Sequence, residues 1–260
     1  MLASLAPALL DLAVRAARLG GGELRRRVDD VRQTGTKSSA TDPVTDADLA
    51  SESAVIALLT TERPEDGILG EEGTERESHS GLRWVVDPLD GTVNYLYRIP
   101  HSAVSIACQR SSGDGWQTVA GAVYDVARDE MFSAVQGDGA RLNGEPVSVS
   151  TAVGLPAALV ATGFSYRAGA RARQAALLPR LLPVVRDIRS GGSAALDLCW
   201  VATGRCDAYY EDELALWDWA AGALIVSEAG GIVSQLDSGV VAAGPSLHDD
   251  LRSLVTAERP

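Results

Sequence analysis

Leu2, Leu5, Leu9, Leu12, Ala16 and Leu19 recur at three- and four-residue intervals, which gives a helix one apolar face. Gly20-Gly21-Gly22 is expected to weaken or end that helix, and the charged stretch 23–32 to resume it. Residues 37–43 are polar and turn-rich and read as a loop. Asp46 reads as the N-cap of a second helix over 47–59, with Leu49, Ser53, Ile56 and Leu59 on one face. Residues 62–77 form an acidic loop with a short apolar insert, Ile68-Leu69, just before Gly70-Glu71-Glu72-Gly73.

From Trp84 the period shortens to that of strands. Trp84-Val85-Val86 is one, and 102–109, where Val104, Ile106 and Cys108 alternate, is the next. Segments 119–124 and 131–135 read as an antiparallel hairpin around a turn that holds Asp125 and Asp129. Beyond Val149 strands and helices alternate. Strands are expected at 159–162, 207–210, 232–236 and 240–243, and helices at 171–185 (apart from its prolines), 193–203 and 216–229. Gly230-Gly231 ends the last of these, and Ser246-x-x-Asp249 reads as a capping box that opens a terminal helix. The pattern predicts an α+β half with an antiparallel sheet over residues 1–147. An α/β half over 148–260 follows, without a flexible linker or internal repeat.

Composition narrows the class. With 260 residues, 46% hydrophobic and 22% charged, the chain can bury a large core without disulfides or a structural metal. No apolar run approaches a membrane span, and the first helix carries Asp11, Arg15 and Arg18 with no basic segment before its leucines, unlike a secretory leader. The net charge of −12 repels a phosphate polyanion, which argues against general nucleic-acid binding. A small anion is still admissible where bound cations invert the local charge. Cys108, Cys199 and Cys206 form no CxxC pair and lie in apolar stretches, so they read as reduced core thiols of a cytoplasmic protein. Lys37 is the single lysine among 23 basic residues.

Three acidic clusters sit at the ends of predicted apolar elements. They are Glu71-Glu72, Asp87-Pro88-Leu89-Asp90, and Asp218 inside the apolar run Leu216–Ala221. A carboxylate among Trp and Ala is costly unless a cation compensates it, and no Lys or Arg lies within a helical turn of Asp218. The candidate donors are oxygens, and His79, His101 and His248 are scattered, which suits magnesium, manganese or calcium. A tight turn at Asp87–Asp90 can aim both carboxylates and the Leu89 carbonyl to one side, enough for two ions that cleave a phosphate ester. The Gly91-Thr92 step lets backbone N–H groups approach a phosphate.

These residues resemble the inositol monophosphatase family of magnesium-dependent, lithium-sensitive phosphatases. One signature is similar to Trp84-Val85-Val86-Asp87-Pro88-Leu89-Asp90-Gly91-Thr92-Val93-Asn94-Tyr95, running on to Pro100 and Val104-Ser105-Ile106. A second resembles Trp217-Asp218-Trp219-Ala220-Ala221-Gly222. Flanking matches are Lys37-Ser38-Ser39, Val44-Thr45-Asp46-Ala47-Asp48, Gly70-Glu71-Glu72-Gly73, Gly192-Ser193-Ala194-Ala195 and Asp207-Ala208-Tyr209-Tyr210-Glu211. Tyr95 stands where phenylalanine is usual, Trp219 lies inside the second signature, and Gly191 replaces a bulkier residue.

The resemblance implies two to three magnesium ions. Glu71, Asp87 and the Leu89 carbonyl would hold the first; Asp87, Asp90 and Asp218 the second; Glu71 with water a looser third. Thr92, with Asp48 behind it and with Glu71, would orient the attacking water, and the Gly91 and Thr92 amides would hold phosphate. The alcohol would contact Asp90, Ser193, Ala194, Glu211 and Asp218, with Lys37 near the metals. It further implies a layered α-β-α-β-α sandwich, a site where the two halves meet, and a homodimer. The expected reaction is hydrolysis of myo-inositol monophosphate, a small phosphorylated polyol, to inositol and phosphate. Histidinol phosphate, fructose 1,6-bisphosphate and 3′-phosphoadenosine compounds are alternatives, the last ranked lowest for want of aromatic or basic recognition elements. A regulatory binding protein that keeps the fold is the competing class.

Overall fold

Gly20-Gly21-Gly22 does not break the first helix. In the computed structural model, which describes residues 2–37, 39, 41–113, 115–150 and 154–257, α1 runs without interruption over Leu2–Arg27. Ser38 and the side chain of Leu2 lie outside the described residues. The glycines are there for closeness: a Cβ on Gly20 would sit 2.7 Å from Ser51 Oγ, and one on Gly21 2.5 Å from the Tyr124 ring. Buried Leu9, Leu12, Ala13, Ala16, Ala17 and Leu24 on the same helix offset the poor helix propensity. The helix stops at Arg27, with Arg25, Arg26 and Arg27 in its last turn, where positive charge is favoured.

The expected loop at 37–43 joins two short antiparallel strands, β1 (Gln33–Thr36) and β2 (Pro43–Thr45). Helix α2 (Asp46–Glu62) is capped by Thr45 rather than Asp46. The Thr45 hydroxyl accepts from the Ala47 and Asp48 amides, and Asp48 accepts from the Thr45 amide at 2.9 Å, a closed capping box. Asp46 instead accepts from the Arg32 amide.

Within the expected acidic loop the structure forms β3 (Gly67–Gly70) and β4 (Glu75–Arg76), because Ile68 and Leu69 pair in parallel with the next strand. That strand, β5 (Leu82–Asp90), is followed by α3 (Thr92–Leu96), β6 (Ala103–Ser112), β7 (Gly115–Asp125), β8 (Glu130–Val135), β9 (Ala140–Leu142) and β10 (Glu145–Pro146). The eight strands lie in the order β10-β9-β8-β7-β6-β5-β3-β4, antiparallel except at β3–β5.

The second sheet is built from β11 (Leu159–Thr162), β12 (Asp187–Arg189), β13 (Ala208–Asp212), β14 (Ile232–Gln235) and β15 (Gly239–Ala243). Its order is β12-β11-β13-β15-β14, parallel across the first three strands and antiparallel across the last three. The helix expected over 171–185 is instead two short ones, α4 (Ala168–Ala175) and α5 (Leu178–Leu181), with Pro179 in the first turn of the second. Helices α6 (Ala194–Ala202) and α7 (Leu216–Glu228) form as expected. The terminal helix α8 (His248–Thr256) starts one residue later than the Ser246–Asp249 box predicts. Leu247 is its N-cap, and Asp249 faces His248 Nδ1 at 3.0 Å.

The layers run α1/α2, eight-stranded sheet, α6/α7, five-stranded sheet, α4/α5/α8, the α-β-α-β-α sandwich expected from the resemblance. Strand alternation distributes each strand between cores: Trp84, Val86, Val104 and Ile106 pack under α1 and α2, while Val85, Ala103 and Ala107 face α6 and α7. Cys108, Cys199 and Cys206 are buried and unpaired. Among the described residues no helix is long and apolar enough to cross a membrane.

The three adjacent glycines should separate on substitution. Gly21→Ala is expected to destabilise by about 1–3 kcal/mol through overpacking against Tyr124. Gly22, whose added Cβ would meet nothing nearer than Arg26 at 3.7 Å, should gain about 0.5–1 kcal/mol as alanine. Denaturant unfolding of the two variants checks the opposite signs.

Candidate active site

The site begins with an irregularity in β5. Pairing with β6 is regular to Asp87–Ser105 and resumes at Asp90–Ala103 with a register shift, so Pro88 and Leu89 bulge. Asp87 is buried, and its Oδ1 accepts from the Leu89 amide at 3.0 Å. Gly91 follows with φ +88°, and a Cβ there would lie 2.9 Å from the His101 carbonyl oxygen, so both conformation and space demand glycine. The chain then enters α3 at Thr92, whose Oγ1 is 3.0 Å from both Asp48 Oδ1 and the Leu89 carbonyl oxygen. A hydroxyl has one hydrogen, so one of these accepts at a time and the lone pairs of Thr92 stay open to another donor.

The other half of the chain closes on this edge. Asp90 Oδ2 accepts from Ser193 Oγ at 2.6 Å and from the Ala195 amide at 2.7 Å, at the N-terminus of α6. Ser193, expected at the alcohol, therefore holds Asp90 directly. Asp218 is the third residue of α7, and its Oδ2 accepts from the Ala215 amide at 2.6 Å. Glu211, near the end of β13, accepts from the Tyr209 hydroxyl at 2.7 Å. Asn94 Nδ2 bridges the halves, donating to the His101 and Gly191 carbonyls at 2.8 Å each.

One cavity of about 520 Å³ is lined by Lys37, Glu71, Asp87, Leu89, Asp90, Gly91, Thr92, Ser193, Ala194, Glu211 and Asp218. It thus collects every residue expected at the site except Asp48, which lies fully buried behind Thr92. Lys37 is the cation among them: its Nζ is 2.7 Å from Glu71, 2.6 Å from Glu72 and 3.7 Å from Asp48. Burial alone would lower the Lys37 ammonium, but Glu71, Asp87 and Asp48 outweigh it and hold it charged.

The carboxyls shift the other way. Burial, reinforced by neighbouring carboxylates, raises Asp87 and Asp218 well above the ordinary carboxyl range. Burial also raises Asp48 and Glu71, and takes Asp90 to about 6, Glu72 to about 7 and Glu211 to about 8. As the side chains stand, each meets a donor, Glu71 and Glu72 sharing Lys37, and among the described residues no group of three or more Asp, Glu, His or Cys is placed to hold a metal ion. Two observations nevertheless fit a hard cation. The donor set is all oxygen, and Glu71 Oε2 is buried with no hydrogen-bond partner.

The same cavity is walled by Phe164, Ser165, Tyr166, Arg167 and Arg171, the aromatic and basic elements that the sequence reading did not find. Their signal was positional: they directly follow β11, at the carboxyl end of a strand in the parallel part of its sheet, where α/β proteins place binding loops. Arg167 and Arg173 pair with Glu213, and Arg171 donates to the Ser165 carbonyl at 3.3 Å.

Raised carboxyl pKa values mean that the native state binds protons the unfolded chain releases. The stability this supplies is complete below about pH 4 and is lost as pH rises through the folded values near 6, 7 and 8. In metal-free buffer the midpoint of thermal unfolding should therefore fall between pH 5 and about 8.5. Glu211→Gln should flatten the upper part of that fall, as a thermal melt series against pH would read.

Known proteins resemble this chain over most of its length. The model of the inositol monophosphatase family matches residues 7–259. The inositol-1-monophosphatase of Mycobacterium bovis is 48% identical over 231 residues, 83% of this chain and 78% of that one. Nus factor SuhB of Escherichia coli K12 is 42% identical over 235 residues, 89% of this chain and 86% of that one. Among solved structures, the extragenic suppressor protein suhB of Bartonella henselae has a TM-score of 0.88 at 36% identity, covering 96% of this chain and all of that one. A match that runs through both sheets and the acidic cavity between them is a match of the whole molecule, and the chain belongs to the inositol monophosphatase family.

Proposed function

We propose that the protein is a magnesium-dependent phosphomonoesterase that hydrolyses myo-inositol monophosphate. The observation that carries this reading is the convergence of Glu71, Asp87, Asp90, Thr92 and Asp218, drawn from both halves of the chain, on one cavity. Glu71, Asp87, the Leu89 carbonyl, Asp90 and Asp218 would hold two to three magnesium ions, which when bound supply Lewis-acid activation of water and of the leaving oxygen. Family membership and the relative named inositol-1-monophosphatase support the reaction class. The same reading carries a cytoplasmic homodimer.

The chain's own residues would do the rest. When the Thr92 hydroxyl donates to Asp48, its lone pairs are free to accept a hydrogen from water and orient it toward phosphorus. The Gly91 and Thr92 amides would face the phosphate oxygens at the turn into α3. Burial pushes the Glu211 carboxyl up to about 8, and Glu211 lines the cavity where it would meet a substrate hydroxyl. Ser193 and Ala195 hold Asp90 in place, so that a shift of α6 would be felt at the reacting phosphate. Tyr166, Arg167 and Arg171 reopen the alternatives with a second anionic or aromatic part, since the cavity offers both kinds of contact.

A second reading, partner binding by the same fold, draws on the likeness to proteins named Nus factor SuhB. Co-purification with RNA polymerase that survives Asp218→Asn would support it as a function separate from hydrolysis.

Phosphate release across inositol 1-phosphate, histidinol phosphate, fructose 1,6-bisphosphate and 3′-phosphoadenosine 5′-phosphate tests the substrate. The expected result is magnesium-dependent preference for inositol 1-phosphate, with inhibition by millimolar lithium. Asp90→Asn should lower kcat by about 10²-fold or more, and Thr92→Val by about 10²–10⁴-fold. Near-normal turnover in either variant would remove the proposed mechanism.

A further inference from the structure

Helix α2 turns Asp48, Ser51 and Glu52 to the site from one face, the i, i+3, i+4 spacing of neighbouring positions. Each engages a different segment. Asp48 meets Thr92, and Ser51 Oγ donates to the Pro88 carbonyl at 2.8 Å, inside the β5 bulge. Glu52 Oε2 accepts from the Glu72 amide at 2.9 Å, and its Oε1 accepts from the Thr74 hydroxyl. Glu52 is only 5% exposed, and among the described residues no ion pair joins it to a cation.

A carboxylate so placed is costly unless its lone pairs are used. Both of its hydrogen bonds go to the turn that carries Glu71. The rest of that turn is held by backbone, through the Gly70 amide to the Thr74 carbonyl at 2.7 Å and the Glu71 amide to the Val86 carbonyl at 3.1 Å. The fit is close, since a Cβ on Gly70 would lie 2.8 Å from Glu52 Oε2. Lys37 pins the carboxylates of Glu71 and Glu72 from the cavity side, while Glu52 pins the backbone between them from behind.

We infer that Glu52 is a positioning residue: by holding the Glu72 amide and the Thr74 hydroxyl it fixes the turn that aims Glu71 into the cavity, and so sets the affinity of the site for a divalent cation. This rests on the metal reading above. A carboxylate ligand whose backbone is free to move must be ordered again each time a cation binds, which weakens binding without altering the donor set.

Manganese binding read by electron paramagnetic resonance of the free ion tests it directly, on wild type, Glu52→Ala, Glu52→Gln and Thr74→Val. Leu59→Ala, a core change on the same helix, serves as the stability control. Glu52→Ala should weaken the tightest manganese site about 10-fold or more, in the range seen for groups that orient metal ligands. Glu52→Gln, which keeps an acceptor for the Glu72 amide, should recover part of the loss, and Thr74→Val should lose less than Glu52→Ala. Leu59→Ala should lower the melting temperature and leave manganese affinity unchanged. In turnover, the magnesium needed for half-maximal rate should rise while KM for the ester holds. Wild-type affinity in folded Glu52→Ala, or in Glu52→Gln and Thr74→Val together should Glu52→Ala not fold, overturns the inference alone. A wild-type protein that binds no manganese overturns the metal reading and this inference with it.

Discussion

Carboxylates crowded into a low-dielectric cavity repel one another, and much of this molecule is arranged to hold them there. Asp87, Asp90, Asp218 and Glu71 line one cavity, and burial raises all four, with a neighbouring carboxylate adding to it in each case. Such a group would disperse in a pliable chain. Here each member is tied to a rigid element: Asp87 and Asp90 flank a bulge in the middle of a sheet, Asp218 sits in the first turn of α7, and Glu71 follows β3. Lys37 supplies one positive charge and amide donors at Leu89, Ala195 and Ala215 supply partial ones. In the proposed function divalent cations would offset the remaining negative charge and admit a phosphate that the protein's net charge repels.

The same constraint explains why the two halves cannot be considered separately at the site. The carboxylate of Asp90, from the eight-stranded sheet, satisfies amide and hydroxyl donors at the N-terminus of α6. Asn94 returns the connection to the Gly191 carbonyl, in the turn ahead of that helix. Helices α6 and α7 are the shared middle layer, packed on one side by the eight-stranded sheet and on the other by the five-stranded one. A small displacement between layers would move Asp218 relative to Asp87, so precision at the cavity depends on the packing of the whole middle layer.

Local physics made much of this readable in advance. The apolar run Trp84-Val85-Val86 and the alternation in 102–109 identified strands, which the structure buries on both faces between two layers. Asp87, Asp90 and Asp218 stood out because carboxylates in apolar runs are expensive. The misreadings have one origin. Gly20 and Gly21 looked like helix breakers because propensity is local, whereas their role is to admit Ser51 and Tyr124. Ile68-Leu69 looked like an insert in a loop because parallel pairing with β5 depends on a partner more than ten residues away. Asp46 looked like the cap because Thr45 and Asp46 are both good caps, and the choice was made by the Arg32 amide that Asp46 satisfies elsewhere.

By itself, then, the sequence determined the longer helices and strands in order and the acidic residues that gather at the cavity, since these follow from periodicity and from the cost of burying charge, while the five-layer architecture was implied only by the family resemblance. Tertiary structure alone decided how they meet. Ser193 engages Asp90 rather than standing free, Lys37 sits among Glu71, Glu72 and Asp48, and Tyr166, Arg167 and Arg171 wall the cavity. Each of these contacts joins segments that are remote along the chain or lie in a loop without periodicity. Their geometry is set by the packing of layers, which no stretch of residues encodes on its own.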